Sequence, residues 1–186
     1  IGEQGHSPFA WAVLGGIAAR TTTIGVGVGV TCPIMRIHPA VVAHAAATTA
    51  VMFEGRFFLG VGTGEALNEH ITGDRWPPIE TRLEMLDEAV AVMRELWTGE
   101  TVDHDGPYFC VENARLFDVP DAAPPVIVSG FGPKAVELAG RIGDGYWGHA
   151  PDDGSIAGFE AAGGSGPRYA QLRVCWADEA AAARAT

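Results

Sequence analysis

The sequence predicts an α/β fold built around a parallel sheet. Short strand-like runs alternate with helical patterns along the 186 residues, and this alternation is typical of parallel strands joined by helices. An eight-unit barrel needs about 250 residues, so the pattern leaves open an incomplete barrel or a complete doubly wound domain. Five segments are predicted as core strands: 24–30, 56–61, 125–129, 145–149 and 171–176.

The first half of the chain gives the clearest boundaries between elements. After a predicted helix over 9–20, isoleucine and valine alternate with Gly25, Gly27 and Gly29, which indicates a strand with one nearly bare face. Pro33 ends this strand. The pair His38-Pro39 is typical of a helix start, and the helix should continue to about residue 52.

The second half begins with the most regular helix. Its apolar residues are spaced three and four apart, which predicts one buried stripe. Gly99 ends it, residues 101–118 resemble a hairpin insertion, and helices are predicted over 133–141, loosely over 154–166, and from Asp178 onward. The stripe consists of Leu83, Leu86, Val90, Met93 and Trp97.

Composition and charge narrow the classes of function. Hydrophobic residues make up 47% of the chain and charged residues 19%, as in a folded domain with a core. The formal net charge is −11 without any cluster of Lys or Arg, so neither nucleic acid nor an anionic membrane is an expected partner. No run reaches the ~20 apolar residues of a membrane span and no signal peptide is visible, so the expected compartment is the cytoplasm.

Metal and thiol chemistry have little support. The three cysteines form no CxxC pair, and the six histidines show no HExxH spacing, so no metal site is predicted. Cys32 has no identifiable basic partner, which favours an inert thiol over a nucleophile. His149 ends a predicted strand, where it could face a substrate.

The most informative motif is the run Gly60-Val61-Gly62-Thr63-Gly64-Glu65-Ala66-Leu67-Asn68-Glu69. Glycines at a strand end allow a flat ligand or a phosphate to approach the backbone. A carboxylate such as Glu65, just past a strand, occupies the usual place of a catalytic group in α/β enzymes. The same pattern also fits an ordinary tight turn with Glu65 at a helix start.

Two further loops follow predicted strands. In Ser129-Gly130-Phe131-Gly132-Pro133-Lys134, a strand leads into a Gly-Pro helix start whose free N–H groups, with Lys134 nearby, could hold a phosphate. The run Gly29-Val30-Thr31-Cys32-Pro33 indicates an irregular strand end or a bulge. An ordinary loop and simple packing remain the structural alternatives for these two.

These segments, in this order, resemble the luciferase-like superfamily of oxidoreductases, and within it the branch of deazaflavin-dependent glucose-6-phosphate dehydrogenases. The run from Phe58 to Glu69 is the most specific match, and the resemblance extends to about Pro151. The remaining matches are 3–9, 33–40, 96–99, 108–109, 118–120 and 140–145.

The resemblance implies a (β/α)₈ barrel that binds the deazaflavin coenzyme F-420, or alternatively FMN, at the carboxyl ends of its strands. In such proteins a bulge with a non-proline cis peptide supports the coenzyme ring, and here that bond would join Gly29 and Val30. Cys32 falls where the family has a small residue near the ring. The other coenzyme contacts implied are Gly62, Thr63, Gly64 and Asn68 for the ring, and Ser129, Gly130 and Phe131 for the phosphate.

The resemblance also implies a mechanism of hydride transfer. A substrate C–H gives its hydride to the deazaflavin while a base removes the hydroxyl proton, and Glu65 matches the carboxylate proposed to donate a proton or stabilise charge. The family's base is a histidine in an Asp-His-x-x-Pro-Trp segment, expected upstream of Glu3. The chain is therefore expected to be a single incomplete barrel domain over 1–186 that lacks the first and last barrel units. We expect it to be inactive alone, although its parent would be an enzyme.

One departure from the branch bears on the substrate. Its glucose-6-phosphate enzymes carry a phosphate-binding lysine in the loop after the strand that here ends at His149. This chain has Pro151-Asp152-Asp153-Gly154 there, and the acidic residues should repel a sugar phosphate. Another alcohol, or an oxidised substrate to be reduced, is therefore expected.

Three other interpretations remain open at this point. The chain could belong to an FMN-dependent monooxygenase of the same fold, a non-catalytic flavin-binding barrel, or a doubly wound nucleotide-binding domain. The last is disfavoured because the glycines of the motif fall as GxGxG and do not form a dinucleotide fingerprint. Because members of the superfamily are often dimers, a homodimer is a candidate assembly.

Overall fold

The computed structural model describes residues 8–171 and 174–184. A 3₁₀ turn at His70–Thr72 follows the third helix. In chain order the helices and strands are α1 (Ala10–Ala18), β1 (Val26–Thr31), α2 (Pro39–Phe53), β2 (Phe57–Val61), α3 (Ala66–Glu69), α4 (Ile79–Leu96), β3 (Val102–Asp105), β4 (Cys110–Ala114), β5 (Val126–Ser129), α5 (Pro133–Ile142), β6 (Gly145–Gly148), α6 (Asp153–Ala161), β7 (Arg168–Ala170) and α7 (Ala180–Arg184).

Five strands form one parallel sheet in the order β1-β2-β5-β6-β7, and β3 pairs with β4 as a separate antiparallel hairpin. Neighbouring strands of the large sheet thus follow one another along the chain once the hairpin is set aside. A doubly wound sheet would reverse its strand order at a switch point. Sequential parallel order is the arrangement of a (β/α) barrel, and the sheet forms a curled half-barrel, as the resemblance implied.

The sheet buries one face against helices because successive side chains along each strand point to opposite faces. In β2, the side chains of Phe57, Leu59 and Val61 pack into the main core. Residues of α2 and α4 cover them, and the apolar stripe predicted for α4 lies largely on this buried side. The helical face of the half-barrel therefore holds the core.

The opposite, concave face carries aromatic rings over glycines. Phe58 stacks on Tyr169 with ring centroids 5.1 Å apart, and Trp147 lies 5.7 Å from Tyr169. A Cβ atom added to Gly27 would lie 2.2 Å from the Phe58 ring, and one added to Gly29 would lie 2.8 Å from Trp147. The nearly bare face of β1 thus makes room for these rings.

The prediction of the fifth core strand at 171–176 is wrong. The last strand is β7, which pairs with β6 through Tyr146↔Arg168, Trp147↔Tyr169 and Gly148↔Ala170. Gln171 and residues 174–177 lie in neither a helix nor a strand, and 172–173 lie outside the described residues. Tyr169 fixes the register because its ring joins the aromatic cluster, whereas Trp176 is 81% exposed.

Trp97 ties α4 to α2 across the core. Its indole Nε1 donates a buried hydrogen bond of 2.9 Å to the carbonyl oxygen of Ala43. We expect Trp97→Phe to lower the free energy of unfolding by about 1–3 kcal/mol, because the bond and part of the packing are lost. Urea denaturation measures this, with Trp176→Phe as the exposed control, and equal effects of the two changes would contradict the role of Trp97.

None of the helices in residues 8–171 and 174–184 is both long and apolar enough to cross a membrane.

Candidate functional site

The loops singled out in the sequence meet at one edge of the sheet. Because the strands are parallel, their carboxyl ends lie together, and the register pairs Thr31 with Val61 and Ser129 with Trp147. A Cβ atom added to Gly62 would lie 3.1 Å from Cγ2 of Val30 and 3.6 Å from Cβ of Ser129. The structure therefore brings the ends of β1, β2 and β5 into one surface.

The end of β1 is irregular in the way the resemblance implied. The peptide between Gly29 and Val30 is cis, and the register with β2 shifts between Val28 and Thr31. A Cβ atom added to Gly60 would lie 3.0 Å from Cγ1 of Val30. The partly exposed Val30 side chain thus lies on the concave face, above the glycines of β2.

The glycines of the motif are required by close packing. A Cβ atom added to Gly60 would lie 2.0 Å from the carbonyl oxygen of Val28, which is backbone and cannot move aside. Gly64 has a φ of +71°, which favours glycine, and its added Cβ would lie 2.6 Å from Sγ of Cys32. These glycines therefore allow β1, β2 and Cys32 to pack closely where β2 ends.

Glu65 and Asn68 present polar groups beside this surface. Glu65 is exposed, precedes α3, and makes no capping hydrogen bond with its side chain. Nδ2 of Asn68 donates a long hydrogen bond of 3.4 Å to Oε2 of Glu65. Within the described part of the chain, Oδ1 of Asn68 is buried without a partner. Because a buried acceptor without a donor costs about 1–3 kcal/mol, this atom is a candidate acceptor for a hydrogen bond from outside the described residues.

The loop after β5 forms a second backbone surface, at the start of α5. Gly130 is buried, its carbonyl oxygen accepts a 2.7 Å hydrogen bond from the Tyr146 hydroxyl, and an added Cβ would lie 2.7 Å from the backbone of Ala135. Helix α5 begins with Gly132 as its N-cap, without a side-chain cap. Its first N–H groups have no partner inside the helix, so Ser129, Gly130 and Phe131 lead into a place that suits an anion.

Lys134 is turned away from this place. Its Nζ forms a 3.0 Å ion pair with Oε1 of Glu80 on α4, and both side chains are exposed. The hydrogen bond from Lys134 lowers the pKa of Glu80 from its ordinary value. An anion at the start of α5 would therefore rely on backbone N–H groups.

His149 lies beside the same loop. Its exposed ring is 4.7 Å, centroid to centroid, from the ring of Phe131, which is also exposed. The two rings lie at the carboxyl-terminal edge of the sheet, next to the loop that leads into α5. The structure thus brings the residues predicted for the site to one edge of the sheet, and their roles toward a ligand stay predictions.

The whole chain, residues 1–186, matches the sequence model of the family described as luciferase-like monooxygenase. The chain belongs to the luciferase-like family. This membership agrees with the sequential parallel sheet and with the bulge at Gly29-Val30.

The relatives of this luciferase-like chain include named dehydrogenases. The F420-dependent glucose-6-phosphate dehydrogenase of Mycobacterium avium (strain 104) is 48% identical over 77% of this chain and 44% of the relative. The F420-dependent hydroxymycolic acid dehydrogenase of Mycobacterium tuberculosis (strain ATCC 25618 / H37Rv) is 42% identical over 98% of this chain and 54% of the relative. The chain thus spans about half the length of the curated relatives it matches.

A solved structure is similar at the level of the backbone. An F420-dependent secondary alcohol dehydrogenase, in complex with an F420-acetone adduct, aligns with a TM-score of 0.82 and 38% identity. The alignment covers 88% of this luciferase-like chain and 54% of the other.

Sequence analysis missed an ion pair that joins two of the site's loops. Glu69, 2% exposed, accepts a 3.2 Å hydrogen bond from the backbone N–H of Arg36, whose Nε lies 3.3 Å from Oε1. Both residues stood in matching stretches of this luciferase-like chain, but their separation of 33 positions hid the contact.

Cys32 completes this buried cluster. Burial, and next the charge of Glu69, raise the pKa of its thiol to about 12. We expect a thiol reagent at pH 8 to label the exposed Cys110 and Cys175 in the native protein, and Cys32 only after unfolding. Labelling of all three native thiols at equal rates would contradict this prediction.

The raised pKa of Cys32 also makes stability depend on pH. Because the pKa of the thiol in the unfolded chain is 9.0, its contribution to the free energy of unfolding is full below pH 9 and is lost between pH 9 and about 12.

Proposed function

We propose that the protein containing this chain is an oxidoreductase that moves a hydride between an alcohol or its carbonyl counterpart and coenzyme F-420. The observation that carries the proposal is the edge of the sheet where the Val30 bulge, the glycine-containing loop after β2, Glu65 and the Oδ1 atom of Asn68 come together. The names of the relatives support the choice of coenzyme.

The residues present fit such a coenzyme. The buried Oδ1 of Asn68, which has no partner within the described part of the chain, could accept a hydrogen bond from an N–H such as one on a flavin-type ring. Val30 would support the ring from the bulge. The N–H groups leading into α5 would bind the coenzyme phosphate. When bound, the deazaflavin supplies a ring carbon that accepts or returns a hydride.

In this proposal Glu65 handles a proton next to the ring. Its carboxyl is exposed and, among the residues that the structure describes, accepts one long hydrogen bond from Asn68, so a ligand could reach it. Asn68 would orient that carboxyl through Nδ2 and accept a hydrogen bond from the ring at Oδ1. One amide would therefore fix the proton carrier and the coenzyme relative to each other.

The proposed substrate is an alcohol without a phosphate. Oδ2 of Asp152 accepts a 2.9 Å hydrogen bond from the N–H of Ser155 at the start of α6. Hydrogen bonding from the Ser155 side chain, and next from its backbone N–H, lowers the pKa of Asp152 from its ordinary value and favours the negatively charged side chain. The helix end that could have bound a phosphate is therefore capped by a carboxylate, in the loop that follows His149.

Coenzyme reduction tests this function. The protein at its full natural length is mixed with oxidised F-420 and either 2-propanol or glucose 6-phosphate, while the visible absorbance of the deazaflavin is followed. We expect loss of absorbance with the secondary alcohol and none with the sugar phosphate. Oxygen uptake with reduced FMN and no reaction with the deazaflavin would instead assign the monooxygenase activity.

A further inference from the structure

A cleft outside the coenzyme edge gathers positive charge around an indole ring. It has a volume of about 790 Å³ and is lined by 75–79 together with Arg82, within the usual size range of small-molecule sites. Arg82 on α4 stacks over Trp76, with its guanidinium carbon 4.4 Å from the ring centroid. Arg75, which is exposed, comes from the preceding loop.

Both guanidinium groups lack an acidic partner. Across residues 8–171 and 174–184, no carboxylate lies within 4.0 Å of the Arg75 or Arg82 side chain. Five other Lys and Arg side chains each have one, while Arg20, Arg56, Arg115 and Arg184 also have none. The nearby acids are engaged elsewhere, since Asp74 accepts a 2.8 Å hydrogen bond from Thr72 and Glu80 pairs with Lys134. Burial lowers the pKa of Arg82 from its ordinary value. Uncompensated cations are notable in a chain of net charge −11.

Arg82 also connects the cleft to the coenzyme edge. Its Nε donates a 3.1 Å hydrogen bond to the carbonyl oxygen of Pro77, and its Nη1 lies 3.4 Å from Oγ1 of Thr63. These bonds hold the guanidinium group through Nε and Nη1, and its other N–H groups can donate to a ligand. The N-terminus of α4 at Ile79, whose N-cap Pro78 provides no side-chain hydrogen bond, adds partial positive charge.

We propose that the cleft formed by Arg75, Trp76, Ile79 and Arg82 is a subsite for the carboxylate or phosphate of a ligand whose reacting part lies at the coenzyme edge. The guanidinium groups bind the anion, and Trp76 with Ile79 contacts an apolar or planar part beside it. The position of the reacting part rests on the proposed function, whereas the charge of the cleft does not. The anion is either a carboxylate of the substrate, for which no phosphate is proposed, or an acidic group on the side chain of the coenzyme.

Binding of a small aromatic acid tests the subsite directly. Tryptophan fluorescence of the full-length protein is titrated with benzoate and with its neutral analogue benzamide, and Trp76→Phe identifies the responding ring. We expect benzoate to bind at least about tenfold more tightly than benzamide, and Arg75→Gln or Arg82→Gln to remove that difference. Arg82→Lys should restore part of it, and Arg94→Gln, whose native side chain pairs with Asp144, should leave it intact. Equal binding of the two probes, or no effect of Arg75→Gln, would overturn the subsite.

A second titration identifies the source of the anion. Wild type, Arg75→Gln and Arg82→Gln are titrated with F-420 and with its deazaflavin chromophore lacking the acidic side chain. If the coenzyme supplies the anion, the variants weaken F-420 alone and F-420 excludes benzoate. If the substrate supplies it, both coenzyme forms bind the variants normally and benzoate binds the coenzyme-saturated protein. Failure of the chromophore to bind wild type would refute the proposed function, while the benzoate result would still decide the subsite.

Discussion

Replacing Glu65 with glutamine should lower kcat of the full-length enzyme by a factor of about 10²–10⁴, the usual contribution of a positioned acid or base. Within residues 8–171 and 174–184, the carboxyl accepts a single hydrogen bond, of 3.4 Å from Asn68, and its side chain does not cap α3. Its loss should therefore change the free energy of unfolding by less than about 0.5 kcal/mol. Glu65→Gln should therefore lower kcat without a comparable change in the free energy of unfolding.

The measurement is a pair of pH profiles of kcat, for wild type and Glu65→Gln, together with denaturation of each. Glu112→Gln is the matched control, because Glu112 is an exposed carboxylate on the hairpin strand β4. The loss of kcat should appear only in Glu65→Gln. A variant that keeps wild-type kcat and profile would remove Glu65 from the chemistry.

Replacing Glu69 with alanine should lower the free energy of unfolding by about 3 kcal/mol. The change leaves the Arg36 guanidinium and backbone N–H without their carboxylate, and breaking a buried ion pair typically costs about 3–5 kcal/mol. We take the lower end of that range because the Arg36 side chain is 36% exposed and can reach water. Glu69→Gln should lose less, since its amide oxygen can still accept from Arg36.

Chemical denaturation of the three proteins measures this, with Asp87→Ala as control. Asp87 pairs with Arg141 at an ordinary distance of 3.0 Å, but both partners are exposed, so its loss should cost less than about 1 kcal/mol. Similar losses for Glu69→Ala and Asp87→Ala would mean that the buried pair does not stabilise the packing of the loop after β1 against α3.

Much of the fold followed from local patterns. Sequence predicted the apolar stripe of α4, the helix start at His38-Pro39 and the first four core strands. In these segments the hydrophobic periodicity agrees with the positions of the glycine and proline residues that end elements. His38 does cap α2, its Nδ1 accepting a 3.2 Å hydrogen bond from the N–H of Ala40. The last strand was misplaced because Val174 and Trp176 are apolar yet exposed, while Tyr169 pairs by virtue of rings on distant strands.

The site was predictable to the extent that it depends on order along the chain. Parallel strands bring consecutive loop residues to one edge, so Val30, Gly62 and Ser129 could be grouped from their positions in the sequence. The cis peptide at Gly29-Val30 came from family resemblance alone, since no spacing implies it. The contacts of Glu69 with Arg36, and of Arg82 with Thr63, join residues far apart in sequence and needed the fold.

The most direct test of the coenzyme edge is a fluorescence titration of the full-length protein with F-420 and with FMN. It is repeated with Gly62→Val, whose side chain would project between Val30 and Ser129, and with Gly16→Ala on α1, where an added Cβ meets nothing within 4 Å. We predict tight binding of F-420, weak binding of FMN, loss of F-420 binding only in Gly62→Val, and wild-type binding in Gly16→Ala. Unchanged F-420 binding by Gly62→Val, or no binding of either coenzyme to wild type, would contradict a coenzyme site at this edge.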